Sequence, residues 1–272
     1  MSTPVEKAER FRALHQGEIP LLMPNAWDAG SAKLLASLGF DAIATTSSGF
    51  AATLGRHDGE AQLEEVLEHC RLLVMAVDVP VSADFENGFA VSPTEVAANV
   101  ARAAATGLAG CSIEDFARRD DKPIYEAALA AERVAAAADA AHNGAARVVL
   151  TARAENYLHG RPDLADTIER LQRYQAAGAD VLFAPGISSA ADIGRIIAAV
   201  DLPVSVLANP ATPTIAEMAE LGVARVSVGG SFAWVAYGAA VTAARELLDS
   251  GTYGYAAAIG PARAVARAAF GS

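Results

Sequence analysis

The chain has 272 residues, 53% of them hydrophobic and 19% charged, with a formal net charge of −11. That length suits one α/β barrel, a fold of about 250 residues, and the acidic balance repels phosphate backbones and anionic lipid, so neither nucleic acid nor a membrane is expected as a partner. Two cysteines make no disulfide framework, residues 1–16 hold no apolar signal core, and no run approaches the roughly 18 apolar residues of a membrane span, so a cytoplasmic protein is expected.

In chain order, short apolar runs alternate with helical segments. The predicted strands are Leu21–Pro24, Ala42–Thr45, Val79–Ala83, Gly110–Ile113, Val148–Thr151, Val181–Ala184, Val204–Leu207 and Ala224–Val228. They are continuous Val/Ile/Leu/Ala runs without period-two alternation, the pattern of strands buried on both faces. Between the first two lies a helix signal from Asp28 that ends at Gly39. Ser92-Pro93 opens another helix as a capping serine followed by a first-turn proline. Gly107, Gly178 and Gly222 repeat a helix–glycine–strand junction. Eight βα units predict a (β/α)8 TIM barrel covering residues 1–272 as a single domain, with 239–272 as a C-terminal helical extension. The rival is a doubly wound open sheet, but no G-x-G-x-x-G follows the first strand.

Chemistry in such a barrel collects at the carboxyl ends of the strands. There the sequence places Asn25, Thr46 with Ser47, Asp84 with Glu86, Glu114 with Asp115, Arg153 with Glu155, Asn209, and Gly229-Gly230-Ser231. Two successive strand ends supply carboxylates, and the next supplies arginine with a further carboxylate. Oxygen donors such as Asp84, Glu86 and Glu114 suit Mg2+, or Mn2+, and do not suit zinc. A plain salt-bridge network with Arg153 is the competing account, and from spacing both stand. Arg153 can clamp a substrate carboxylate in bidentate fashion, balance the charge of Glu114, or do both. An anionic substrate on an acidic protein needs such local positive charge.

Other classes find little support. None of the three lysines sits at a strand end, against a Schiff-base aldolase. Of five histidines only His57 and His159 fall in βα loops, against a barrel-type zinc hydrolase. Cys111 lies within a strand and reads as core.

Several stretches together carry a specific resemblance: Pro24-Asn-Ala-Trp-Asp-Ala-Gly-Ser-Ala, Leu54-Gly-Arg-His-Asp58, Ser82-Ala-Asp-Phe-Glu-Asn-Gly88, Gly110-Cys-Ser-Ile-Glu-Asp115, Thr151-Ala-Arg-Ala-Glu155 and Gly178-Ala-Asp-Val-Leu-Phe. From about Pro24 to Trp234 the chain resembles the isocitrate lyase/phosphoenolpyruvate mutase superfamily. The resemblance implies a barrel whose C-terminal helix is swapped between subunits of a homodimer or homotetramer. It also implies Mg2+ chelated by a small 2-oxo acid or dicarboxylate. By position it gives Asp84 as direct metal ligand, and Asp58, Glu86 and Glu114 as acids holding metal-bound waters. Thr46 and Ser47 match substrate oxygen-binding positions and Arg153 the substrate-binding arginine; Asn209, at a further strand end, is expected to contact substrate. Glu86 stands where the family usually has aspartate.

Reaction type in this superfamily follows the loop after the fourth strand, here Asp115-Phe-Ala-Arg-Arg-Asp-Asp-Lys-Pro-Ile-Tyr125. Isocitrate-type lyases carry Lys-Lys-Cys-Gly-His there, and this loop has no cysteine. They also place a glutamate after the sixth strand, where this chain reads Ala184-Pro185-Gly186. Phosphonate mutases carry a lysine and an asparagine in the loop, and only Lys122 is present. The resemblance therefore points first to C–C cleavage of an oxaloacetate-like acid through a metal-stabilised enolate, with Asp58, Glu114 and Arg153 as catalytic residues. Carbon–phosphorus chemistry is the alternative, and a non-catalytic dicarboxylate-binding barrel a third. Tyr125 and His57 are candidate proton donors.

Overall fold

The computed structural model describes residues 2–119 and 121–271. Its staves are β1 (Leu21–Met23) with β2 (Asn25–Ala26), β3 (Ile43–Thr45), β4 (Val81–Asp84), β5 (Gly110–Glu114), β6 (Val149–Arg153), β7 (Val181–Phe183), β8 (Val204–Leu207) and β9 (Arg225–Ser227). All pair in parallel, in the order β1-β9-β8-β7-β6-β5-β4-β3-β2. The expected first strand is thus two short pieces. Pro24, which has no N–H to donate, separates them, and the first half pairs with β9 while the second pairs with β3. The ring closes through this break, giving the expected TIM barrel. β5 and β6 run further than the apolar runs suggested, so that Glu114 and Arg153 are the last residues of their strands and lie opposite one another in register.

The helices are α1 (Pro4–Ala13), α2 (Ala29–Ser37), α3 (Ser47–Thr53), α4 (Leu63–Ala76), α5 (Pro93–Ala104), α6 (Ala127–His142), α7 (Leu164–Ala176), α8 (Ala190–Ala199), α9 (Ile215–Leu221), α10 (Ser231–Ser250) and α11 (Ile259–Phe270). Asp28 caps α2, accepting from the Ser31 N–H at 2.6 Å. Ser92 occupies the N-cap of α5 as expected, but its side chain makes no capping bond. Gly222 ends α9 with φ of 84°, a conformation that costs glycine no steric clash.

Apolar packing divides into two regions. Outside the barrel, helix faces such as Ala137 and Ala141 of α6 bury against outward strand residues including Ile113 and Leu150. Inside it, Phe11 of α1 plugs the amino-terminal end against Leu21, Val149 and Val181. Gly110 is required there, because a Cβ would come within 2.5 Å of the Phe11 ring. Cys70 and Cys111 are both buried, as the core reading of Cys111 expected, and burial pushes each thiol up to about 12.

The sequence boundary at residue 239 falls inside α10, which runs unbroken from Ser231. Only Ala233 of α10 is buried, while Trp234, Val235, Val241, Leu247 and Leu248 stay exposed. After a 3-10 turn, α11 folds back onto α2. Among the described residues no helix is long and apolar enough to cross a membrane.

Candidate active site

The carboxyl ends of β3 to β6 converge on Arg153. Its Nη1 donates to Asp84 at 2.7 Å, its Nη2 lies 3.2 Å from Glu114, and its Nε and Nη2 each reach Glu155 at 2.8 Å. Burial pulls Arg153 down, but Glu155, Glu114 and Asp84 outweigh this and raise it, so the guanidinium stays charged.

Asp84 ends β4 and is held from three sides. Besides Arg153, the Ser47 N–H and hydroxyl donate to its Oδ2 at 3.1 and 3.0 Å. The Ser47 N–H is free to do so because it lies in the first turn of α3, where backbone donors have no helical partner. Thr46 sits just before as the N-cap, accepting from the Gly49 N–H at 3.3 Å. Gly49 fixes this turn: a Cβ would come within 2.6 Å of Thr46 Cγ2 and 2.9 Å of Trp27 Cβ. On the far side of the mouth, Asn25 accepts from the N–H groups of Val228 and Gly229 at 3.1 and 2.9 Å and donates to the Thr45 carbonyl at 2.7 Å. This ties the glycine turn after β9 to the first stave.

Glu86 follows β4 with φ of 48°, a left-handed conformation that is uncommon outside glycine, asparagine and aspartate. Its carboxylate is buried and, among the described residues, meets only the Arg118 guanidinium; neither oxygen accepts a hydrogen bond of ordinary geometry there. Arg118 belongs to the loop after β5, and it also donates to the Gly59 carbonyl. Arg118 turns inward to Glu86, whereas Arg119 pairs with Asp121 and Lys122 with Glu126 at the surface. Asp58 stands at the rim beside Ser47. Burial pushes its carboxyl up and the Asp84 charge adds to this, against the Ser47 hydroxyl, Arg153 and Arg118. Glu114 is raised much further, chiefly by burial, with Arg153 opposing and Glu155, Asp84 and Asp58 adding to it.

Two chambers share this junction. The deeper, of 190 Å³, runs down the barrel axis past Asp84, Ser82, Ser112 and Ser227. The outer, of 760 Å³, lies under the loop and is lined by Glu86, Glu114, Arg118 and His159. Ser47, Asp58 and Arg153 line both. The structure thus brings together Thr46, Ser47, Asp58, Asp84, Glu86, Glu114 and Arg153. It does not bring in Asn209, whose Oδ1 accepts from the Ala211 N–H at 2.8 Å within its own turn. The two candidate proton donors also stay out. His57 is exposed on the surface, and Tyr125 lies beneath Arg133, whose guanidinium sits 4.2 Å from its ring centre.

Asp115 is not part of the mouth but its support. It accepts from the Glu155 N–H at 2.8 Å, from Arg170 at 3.1 Å and from Tyr174 at 2.6 Å, which anchors both the loop root and Glu155. Sequence reasoning underrated Glu155. The signal for it was present, since a carboxylate two residues after Arg153 leans toward the same end of the strand.

Five carboxylates (Asp58, Asp84, Glu86, Glu114, Glu155) face two guanidiniums (Arg118, Arg153). Fully ionised, the site would carry three uncompensated negative charges. Among the described residues no three acidic, histidine or cysteine side chains already form a cage for an ion. The donor set nonetheless fits a hard divalent cation, because its oxygens are carboxylates and hydroxyls, the charge deficit has the right sign, and the buried Glu86 carboxylate meets a guanidinium but no hydrogen-bond donor of ordinary geometry.

A profile of the phosphoenolpyruvate phosphomutase family matches residues 11–248. A crystal structure of a candidate lyase/mutase from Burkholderia cenocepacia superposes with a TM-score of 0.94 at 47% identity, covering 97% of this chain and 96% of that one. The 2-methylisocitrate lyase of Escherichia coli is 33% identical over 73% of this chain and 68% of its own. The oxaloacetate decarboxylase of Rhodopseudomonas palustris is 30% identical over 74% of this chain and 70% of its own.

Proposed function

Because this chain belongs to the phosphoenolpyruvate phosphomutase family, we propose that it is a divalent-metal-dependent lyase that cleaves a C–C bond of a small 2-oxo acid, with oxaloacetate decarboxylation as the reaction that asks least of the site. The observation that carries this reading is the junction of Asp84, Ser47 and Arg153 beneath an excess of carboxylates. There five carboxylates share two guanidiniums, Arg118 and Arg153. Asp84, with Glu86 and Glu114 and with Asp58 at the rim, would hold Mg2+ or Mn2+. When bound, the ion would supply a Lewis acid for negative charge on the substrate's 2-oxo oxygen.

The chain's own groups do the rest. Arg153 binds a substrate carboxylate and orients it. Ser47, through N–H and hydroxyl, donates to oxygen at the same point as charge develops there. In decarboxylation the C3–C4 bond breaks, carbon dioxide leaves, and the electron pair moves onto the 2-oxo oxygen as an enolate. C3 then takes up one proton, and Asp58, whose carboxyl is pushed up at the rim, holds it there. Arg118 draws the loop over the outer chamber and excludes water. The loop offers no thiol, which separates this chain from lyases that use a cysteine acid.

The full functional unit is proposed as a homo-oligomer in a reducing cytoplasm, with a second copy covering the apolar residues of α10; the exchange of tail helices that the resemblance implies would replace the packing of α11 on its own α2. Support comes from the exposed Trp234, Val235 and Leu248 and from two buried free thiols.

The test follows pyruvate from oxaloacetate and from phosphonopyruvate with Mg2+, using EDTA-treated enzyme and Asp84→Ala as controls. Metal-dependent pyruvate from oxaloacetate that disappears in Asp84→Ala supports the proposal. Pyruvate from phosphonopyruvate alone moves the assignment to carbon–phosphorus cleavage. No product from either sinks the lyase reading and leaves a dicarboxylate-binding barrel.

A further inference from the structure

Arg225 opens β9 with its side chain inside the barrel, well below the strand ends, and is 3% exposed. Its neighbours are all neutral acceptors. Nε donates to Ser205 Oγ at 2.9 Å, and Nη1 donates to Thr151 Oγ1 at 3.1 Å and to His15 Nε2 at 3.3 Å. His15 donates through Nδ1 to the Phe11 carbonyl at 2.8 Å, which leaves Nε2 as the acceptor, so the ring is uncharged. Burial, with Arg225 adding to it, lowers His15 to about 3. Among the described residues no carboxylate pairs with Arg225. Burial and the Arg153 charge push it down to about 9, with nothing pulling it back, and at neutral pH it remains a cation.

A buried, unpaired guanidinium is costly, and proteins retain one where something compensates it. The fourth direction shows what could. Nη2 makes no hydrogen bond among the described residues, and Arg225 lines the 190 Å³ chamber. That chamber is rich in hydroxyls (Ser82, Ser112, Ser227 and Thr45) and is far larger than the roughly 10–15 Å³ that one water requires. The acidic groups bordering it, Asp84 and Asp58, lie at its upper end, where Arg153 and Ser47 engage them.

We propose that the lower barrel chamber is an anion site in which Nη2 of Arg225, with the chamber hydroxyls, holds a small anion of carboxylate or halide size. This site lies at the lower end of the chamber whose upper end holds Asp84, Ser47 and Arg153, and it does not depend on the chain being a lyase. The anion has two sources, a free inorganic ion or the far carboxylate of a diacid reaching down the axis.

The experiment follows thermal unfolding of the full chain in halide-free buffer containing EDTA, so that neither metal nor turnover enters the readout. Formate or bromide is titrated while a bulky sulfonate salt keeps ionic strength constant. Wild type should gain several degrees in Tm along a saturating curve. Arg225→Met should show no such gain. Arg225→Lys should require roughly tenfold more anion, since lysine presents a point charge in place of a planar pair of donors. Bromide-soaked crystals of wild type should show an anomalous peak beside Arg225, a readout that stands even if Arg225→Met fails to fold. Succinate that displaces the bromide identifies the diacid as the source, whereas succinate binding that leaves it in place identifies a free ion. No saturating response in wild type, equal responses in wild type and Arg225→Lys, or crystals without the peak would overturn the proposal.

Discussion

Glu114 and Arg153 face each other across the β5–β6 pairing, and their side chains meet at 3.2 Å at the barrel mouth. The same guanidinium also holds Asp84 and Glu155, so one residue carries the cationic side of a three-carboxylate cluster.

Arg153→Met therefore does more than remove a substrate contact. It leaves three inward acids without a counter-charge, and breaking a buried pair in this way costs about 3–5 kcal/mol. Urea unfolding should show this loss together with absence of turnover. Arg153→Lys should keep most of the stability and lose activity, because an ammonium cannot serve three acids with a planar fork. Equal stability of Arg153→Met and wild type would contradict the arrangement.

Mg2+ should raise the Tm of wild type, since a ligand at 100 times its Kd adds about 2.7 kcal/mol to the folded state. Asp84→Ala and Glu86→Gln should flatten this dependence. Arg118→Ala should do the opposite for the ion: with its organic cation gone, Glu86 binds Mg2+ more tightly, while KM rises because the loop loses its hold on Gly59. Tm against Mg2+ concentration, paired with steady-state kinetics, separates the two effects.

Acid should destabilise the fold through two buried histidines. Burial lowers His15 to about 3 and His69 to about 4, from 6.5 when exposed. Below pH 6.5 the unfolded chain takes up protons that the folded one refuses, so stability is complete above that value and falls as pH drops toward 4. At pH 4 each histidine accounts for about 3 kcal/mol. His69 stacks on Phe50 at 4.0 Å with Nε2 unsatisfied, so His69→Phe should remove about half of this acid dependence in urea titrations at pH 7 and pH 4.

Gly49→Ala should destabilise by about 1–3 kcal/mol through overpacking against Thr46, Trp27 and Ala233. It should also cut turnover by displacing the Ser47 N–H from Asp84. An unchanged Tm would mean that the α3 turn yields without cost.

The barrel was readable because its strands are short apolar runs punctuated by helix–glycine junctions such as Gly178 and Gly222. Hydrophobic continuity reveals a stave but not where it stops. Polar Arg153 and Glu114 complete their strands, and Pro24 splits one, through pairing with neighbours distant in sequence. Asp84, Glu86 and Glu114 were legible as strand-end acids. Asn209 was misleading, because an asparagine at a strand end serves its own turn as readily as a ligand. Arg225 was invisible as a site residue, since a charged residue at the start of an apolar run looks like the strand's solvated beginning. Only closure of the ring shows that it points inward.

That closure also sets a timetable. The first stave finds its lateral partner in β9, and the Asn25 side chain bonds the backbone at Val228 and Gly229. During synthesis, until residue 229 has cleared the ribosome, β1 and β8 are both open sheet edges, and the apolar floor around Leu21 and Phe11 has no lid on that side. The nascent protein passes most of its translation as an unfinished cylinder, and its exposure to aggregation ends with the last stave rather than accumulating evenly along the chain.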